Sequence, residues 1–210
     1  MDKINTDTAW IREMYCRNGL TAGIITYFRN IICTHYRIYG RTFPWRETDD
    51  PYRILVSEFM LQQTQVKRVQ ERYIPFLEQF PDFFHLSSTT IPEVLRAWKG
   101  LGYNRRALAL RQTAQIVVRD YRGMLPVEEH EIQALPGIGK ATTAALMVFT
   151  SRQPSLLLET NIRTVYIHFF FPDRERVKDT ELHPLIEKTQ SWRHPREWYY
   201  GLIDCVADMV

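Results

Sequence analysis

The sequence predicts an all-α protein. Apolar residues recur at helical spacing through most of the 210 residues. Gly, Pro and Asn break the chain into segments of helix length, and the period-two alternation of a half-buried strand is scarce.

Each element has its own signal. Ile24, Ile25, Tyr27, Phe28, Ile31, Ile32 and Tyr36 fall on one broad stripe, so a first helix is expected there, closing near Gly40. Asp50 followed by Pro51 is a cap and a first-turn proline, opening a helix through Ile54, Val56, Phe59 and Met60. Further helices are expected at about 65–79, 91–98, 104–121, 128–134, 140–151, 161–170, 179–190 and 195–210. The Leu triplet at 156–158 is the best candidate for an extended piece. The last helix still has helical character at Val210, with no C-cap signal, so either the chain ends in a helix or a continuation follows.

Composition narrows the class. A chain 45% hydrophobic and 24% charged is globular rather than disordered, and 210 residues can bury a good core. The net charge is only +3, but the segment from Arg96 to Arg122 holds Arg96, Lys99, Arg105, Arg106, Arg111, Arg119 and Arg122 against the single acid Asp120. That bias suits a polyanion, or equally a solvated helix face. The three cysteines, at 16, 33 and 205, are too few and too scattered for a disulfide framework or a four-thiolate cluster. The six histidines show no metal-ligand spacing, so no metal site is expected. With no apolar leader or membrane-length run, the expected location is intracellular, cytoplasm or nucleoid, with no membrane partner.

The stretch "LPGIGKATTAAL" (135–146) places Pro136, Gly137 and Gly139 before good helix material. A Walker A loop fails on spacing, because Ala141 follows Gly139-Lys140 only two residues after Gly137. A dinucleotide fingerprint fails because Thr142 stands where its third glycine belongs. Two possibilities stay open: an ordinary helix-helix connection, or a turn whose amides, with Lys140 beside them, hold a phosphate.

Two carboxylates stand out. Glu58 sits in "ILVSEFMLQQTQV" among Val56, Phe59, Met60 and Leu61, where partial burial would favour the protonated acid; pairing with Arg53 is the plainer alternative. Gln62, Gln63, Thr64 and Gln65 follow, suited to base edges or to a polar helix end. Glu159, after three leucines and before Thr160-Asn161, marks a helix start, where an acid is commonly just a cap.

The segments at 45–66 (WRETDDPYRILVSEFMLQQTQV), 98–110 (WKGLGYNRRALAL), 135–146 and 159–165 (ETNIRTV) occur together in the order and spacing of the helix-hairpin-helix DNA glycosylases. The chain resembles that superfamily over roughly residues 40 to 210, and within it the adenine glycosylase branch. The resemblance implies two helical lobes: residues 1–45 with 152–210, and a central barrel at 46–151 ending in a hairpin at about 128–150. It implies that Pro136, Gly137, Gly139 and Lys140 grip a DNA phosphate. It matches Glu58 to the glutamate that protonates adenine, Glu159 to an essential aspartate, and Asn161 to the asparagine beyond it, with Arg163 following. Arg46, Gln62 and Gln63 match positions at the flipped base or the vacated strand, and Tyr103 matches an intercalating wedge.

Breaking an N-glycosidic bond calls for one protonated acid and one anion, so Glu58 is expected as the acid and Glu159 as an ionised stabiliser across a cleft between lobes. The implied partner is double-stranded DNA with a mispaired or damaged base, bound by a monomer. Three departures from the family pattern stand out. Glu159 is longer than aspartate by a methylene, where catalysis is sensitive to shifts of ~1 Å. Ala141 occupies the position of the lyase lysine in bifunctional relatives, and Lys140 falls one residue too early. No iron-sulfur loop is expected, because Cys205 stands alone, and no 8-oxoguanine-verifying domain is expected within these residues. The expected activity is removal of adenine opposite 8-oxoguanine or guanine without a 4Fe-4S cluster; the alternatives are uracil, thymine or hypoxanthine removal, or a non-catalytic lesion-binding module.

Overall fold

A computed structural model describes residues 2–150 and 155–209. It contains α1 (Asp2–Asn18), α2 (Ala22–Tyr39), α3 (Pro51–Leu61), α4 (Val66–Gln79), α5 (Phe83–Ser88), α6 (Ile91–Ala97), α7 (Arg105–Tyr121), α8 (Glu129–Gln133), α9 (Lys140–Phe149), α10 (Thr160–Phe170), α11 (Asp179–Thr189) and α12 (Pro195–Cys205). Among the described residues there is no strand, and the fold is all-α.

Differences from the expected elements have local causes. α1 and α5 carry no broad stripe. Among the residues of α1 whose burial is described, only Thr8 and Ile11 are buried, a single pair three residues apart. The six-residue α5 is too short to show a period, and it forms because Asp82 caps the His85 amide at 2.9 Å and Phe83 and Leu86 pack against α7. The expected helix at 195–210 ends at Cys205 and tightens into a 3₁₀ turn at Val206–Asp208. The Leu triplet forms no strand; Leu157 is buried and its amide donates to the Tyr199 hydroxyl at 3.1 Å. The end of the expected 140–151 helix and the 151/152 lobe boundary lie outside the described residues.

The chain divides into two compact units, Thr42–Gln153 and the pair Met1–Arg41 with Pro154–Val210. The first boundary falls at 41/42 rather than 45/46. Phe43 and Trp45 stack on each other, 4.8 Å between centroids, and Trp45 meets Tyr73 of α4 edge-on at 5.4 Å.

The Thr42–Gln153 unit is built around α3. Asp50 starts that helix by accepting from the Tyr52 amide at 2.8 Å, and Ile54, Leu55, Val56, Ser57, Phe59 and Met60 are buried. Each such apolar side chain contributes about 1.5–3 kcal/mol. α4, α7 and α9 pack on α3, and α8 leads through a tight turn into α9.

The other unit packs α1, α2, α10, α11 and α12 around Phe28, whose ring contacts Tyr166, Phe169, Phe170 and Trp198 at 5.2–5.8 Å. α12 lies close to α2 at Gly201, where a Cβ would come within 3.0 Å of Ile32. Arg29 closes α11 by donating to the carbonyls of Thr189 and Gln190 at 2.6 and 2.7 Å, satisfying acceptors left over at a helix end. Buried Asp204 accepts from the Arg41 backbone amide and guanidinium at 2.9 and 2.8 Å.

Candidate active site

Within the Thr42–Gln153 unit, α3 carries Glu58 half-buried, between fully buried Ser57 and Phe59. Arg53, the alternative partner read from the sequence, lies beside Asp50 at 3.8 Å. Arg46, on the short 3₁₀ turn Pro44–Arg46, sits over the Phe43 ring at 5.1 Å. Gln62 ends α3, and its side-chain amide donates to Thr142 Oγ1 of α9 at 3.4 Å, tying the glutamine turn to the hairpin's second helix.

Gln63 and Tyr103 share an unusual backbone. Among the described residues three non-glycine residues have positive φ, and these are two of them, at 52° and 45°; the third is Arg122 at 56°. The left-handed region costs a residue with a Cβ about 1–2 kcal/mol, so surrounding contacts must hold it. Both side chains are exposed, Tyr103 at 55%.

Next to both in the fold stands Arg106, which the sequence reading grouped with the exposed cations. Arg106 is buried, at 7% exposure, rather than presented to a polyanion. Nη1 donates to the carbonyls of Phe59 and Met60 at 2.8 and 3.1 Å and to that of Gln62, while Nη2 reaches Thr64 Oγ1, Leu101 O and Gly102 O at 2.9, 2.7 and 3.1 Å. Burial lowers its pKa. The missed signal was periodic: Arg106 lies on the same face as Ala107, Leu110, Thr113, Ala114 and Val117 of α7. Arg111 and Arg119 are engaged as well, on the Thr89 carbonyl and Asp120. Arg96, Lys99, Arg105 and Arg122 are further exposed cations of the basic segment, beside the exposed Arg119 on Asp120.

The hairpin is set by two glycines that do different work. Gly137 has φ 76°, and a Cβ there would lie 2.9 Å from both Ala109 Cβ and the Phe59 ring; the Pro136 carbonyl accepts from Thr113 at 2.9 Å. Gly139 has ordinary φ and would place a Cβ in open space. Gly139 caps α9 without a side chain, so the helix's first amides have no acceptor within the helix. Lys140 follows, exposed. Gly137→Ala is therefore expected to lower stability by about 2–4 kcal/mol, from strain plus overpacking, and Gly139→Ala by under about 1 kcal/mol. Equal midpoints of thermal unfolding for the two variants would contradict this account of the turn.

Glu159, Asn161 and Arg163 belong to the other unit. Glu159 caps α10, accepting from the Asn161 and Ile162 amides at 3.0 and 3.2 Å and from the Asn161 side chain at 3.4 Å. Burial nonetheless pushes its carboxyl above the ordinary glutamate range, the capping bonds offsetting only part of the desolvation. The helix start that the sequence marked at Glu159 is present, and burial works against the charge that the cap favours. The Arg163 fork is taken up by Asp179 and the Val177 carbonyl.

The turn between α8 and α9, with the apolar α3 carrying a carboxylate behind it, defines the helix-hairpin-helix class of base-excision glycosylase folds. The chain belongs to the HhH-GPD superfamily of base excision DNA repair proteins, whose model matches residues 56–188. It is 33% identical over 184 residues to the adenine DNA glycosylase of Buchnera aphidicola subsp. Baizongia pistaciae, covering 87% of this chain and 52% of that one. It is 31% identical to the thymine/uracil-DNA glycosylase of Methanothermobacter thermautotrophicus, covering 86% and 83%. The chain thus spans about half the length of that adenine glycosylase and most of the thymine/uracil enzyme. A solved thermostable thymine-DNA glycosylase superposes with a TM-score of 0.78 at 30% identity, covering 87% of this chain and 86% of that one. An endonuclease III–DNA complex shares the fold at a TM-score of 0.70 and 16% identity.

Proposed function

We propose that this chain is a monofunctional DNA N-glycosylase that removes adenine mispaired with 8-oxoguanine or guanine. The observation that carries the reading is one unit's grouping of a half-buried glutamate, a glutamine turn, an exposed strained tyrosine and an open hairpin. Duplex DNA would lie with a phosphate on the first amides of α9 beside Lys140, which positions without reading sequence. Exposed Arg96, Lys99, Arg105 and Arg122 would add affinity that weakens as salt rises.

Glu58 would donate a proton to the base and so improve its leaving ability. Glu159, when ionised, would stabilise the positive charge that develops on the sugar. The target atom is inaccessible in a stacked duplex, so the base must be extruded, with Tyr103 filling the stack and Gln62 and Gln63 the vacated strand. Ala141 supplies no amine nucleophile, so hydrolysis without strand cleavage is the expected outcome. The three cysteines within these 210 residues are short of the four thiolates a 4Fe-4S cluster takes.

Removal of thymine or uracil is the second reading, favoured by the 83% coverage of the thymine/uracil relative and by the TM-score of 0.78 to the thymine-DNA glycosylase. Single-turnover cleavage decides between them, with adenine, uracil, thymine or hypoxanthine placed opposite 8-oxoguanine, guanine and the normal partner. Loss of adenine opposite 8-oxoguanine, with strand breaks only after alkali, is the expected result. Release of thymine or uracil instead would transfer the chain to the second substrate class. Tight binding with no release from any duplex would make it a lesion-binding module.

A further inference from the structure

The geometry points to Arg106 as a positioning residue that holds Gln63 and Tyr103 in the left-handed backbone conformation from which they would meet DNA. This rests on the proposed DNA contacts of those two side chains. A single guanidinium joins two segments that are far apart in sequence: the end of α3 with its glutamine turn, through Phe59, Met60, Gln62 and Thr64, and the Gly-Leu-Gly-Tyr loop, through Leu101 and Gly102. Gln63 lies between two of the clasped residues, and Tyr103 directly follows another. The clasp therefore borders two of the three non-glycine positive-φ residues described.

The chemistry suits the task. All six acceptors are neutral oxygens, and those of α3 are last-turn carbonyls, where the helix dipole is negative and no intrahelical donor is available. A planar fork can serve both segments at once, whereas a lysine ammonium offers three donors from one atom. Glycine would adopt these two backbone conformations without strain, yet the chain keeps a glutamine and a tyrosine there and spends a buried cation to hold them. Without the clasp, each residue would relax toward ordinary φ and carry its side chain elsewhere.

The test is Arg106→Lys, alone and combined with Gln63→Ala and Tyr103→Ala. In the otherwise native protein, cleavage of the preferred duplex should slow by about ten- to a hundredfold, as expected for displaced positioning groups, while binding of undamaged duplex stays within about threefold. In the Gln63→Ala, Tyr103→Ala background the same substitution should cost under about threefold, because the groups it positions are already gone. An undiminished penalty in that background would assign Arg106 to general stability and overturn the proposal. If Arg106→Lys does not fold, Gln63→Gly with Arg106 intact becomes the readout: release of strain should raise the unfolding temperature, and a lowered one overturns the proposal. Fluorescence of 2-aminopurine next to the mispair reports unstacking independently of cleavage. A wild type that unstacks without cleaving removes the glycosylase reading alone, and Arg106→Lys unstacking like wild type removes the positioning role.

Discussion

Glu58→Gln is expected to lower the single-turnover rate of base release by about 10²- to 10⁴-fold, the range that a positioned general acid contributes. The change is isosteric and leaves the apolar packing of α3 through Val56, Phe59 and Met60 in place, so the fold should persist. Binding of duplex DNA, which depends on the hairpin and exposed cations, should be nearly unchanged. A loss of rate with retained affinity marks an interaction made only in the transition state. Cleavage within about threefold of wild type would remove Glu58 from the chemistry, since even a modest general acid contributes more than that.

Glu159→Gln should cost about 10²- to 10³-fold, comparable to the loss of one preorganised electrostatic stabiliser. Its signature is in pH dependence. Burial raises the carboxyl's pKa, so in wild type the active anion is lost on acidification at a higher pH than for an ordinary glutamate. The acid limb of the rate profile should therefore lie above that ordinary range and vanish in the glutamine variant.

Stability shows the opposite sign. A folded-state pKa above the unfolded one means that the fold favours the protonated form. That contribution is complete below the unfolded value of about 4.3 and is lost as pH rises through the folded one. Wild type should thus lose stability relative to Glu159→Gln across that window, while an amide oxygen still caps α10. Parallel melting curves of the two proteins from pH 4 to 7 would show that the carboxyl is not perturbed as described.

Much of this was legible in the sequence, for reasons that are local. Helices such as α2 and α4 announce themselves because one face is apolar over four or five turns, and α3 because Asp50-Pro51 is a cap that works through its own neighbours. The hairpin was legible because Gly137 is demanded by a backbone angle and a close approach. Both carboxylates could be nominated from what surrounds them in the chain.

Other features depended on contacts between residues distant in sequence. α5 was invisible because its stability comes from α7, and the unit boundary moved because Trp45 packs on Tyr73. Charge counting grouped Arg106 with its exposed neighbours, and only packing showed a buried cation closing two loops. The same holds for Glu159, where the sequence supplied the cap but burial set the direction of its pKa. Sequence alone determined residue type, helix periodicity and capping, which act over a few residues. Tertiary structure decided which charges leave water, because desolvation depends on everything that packs around a group.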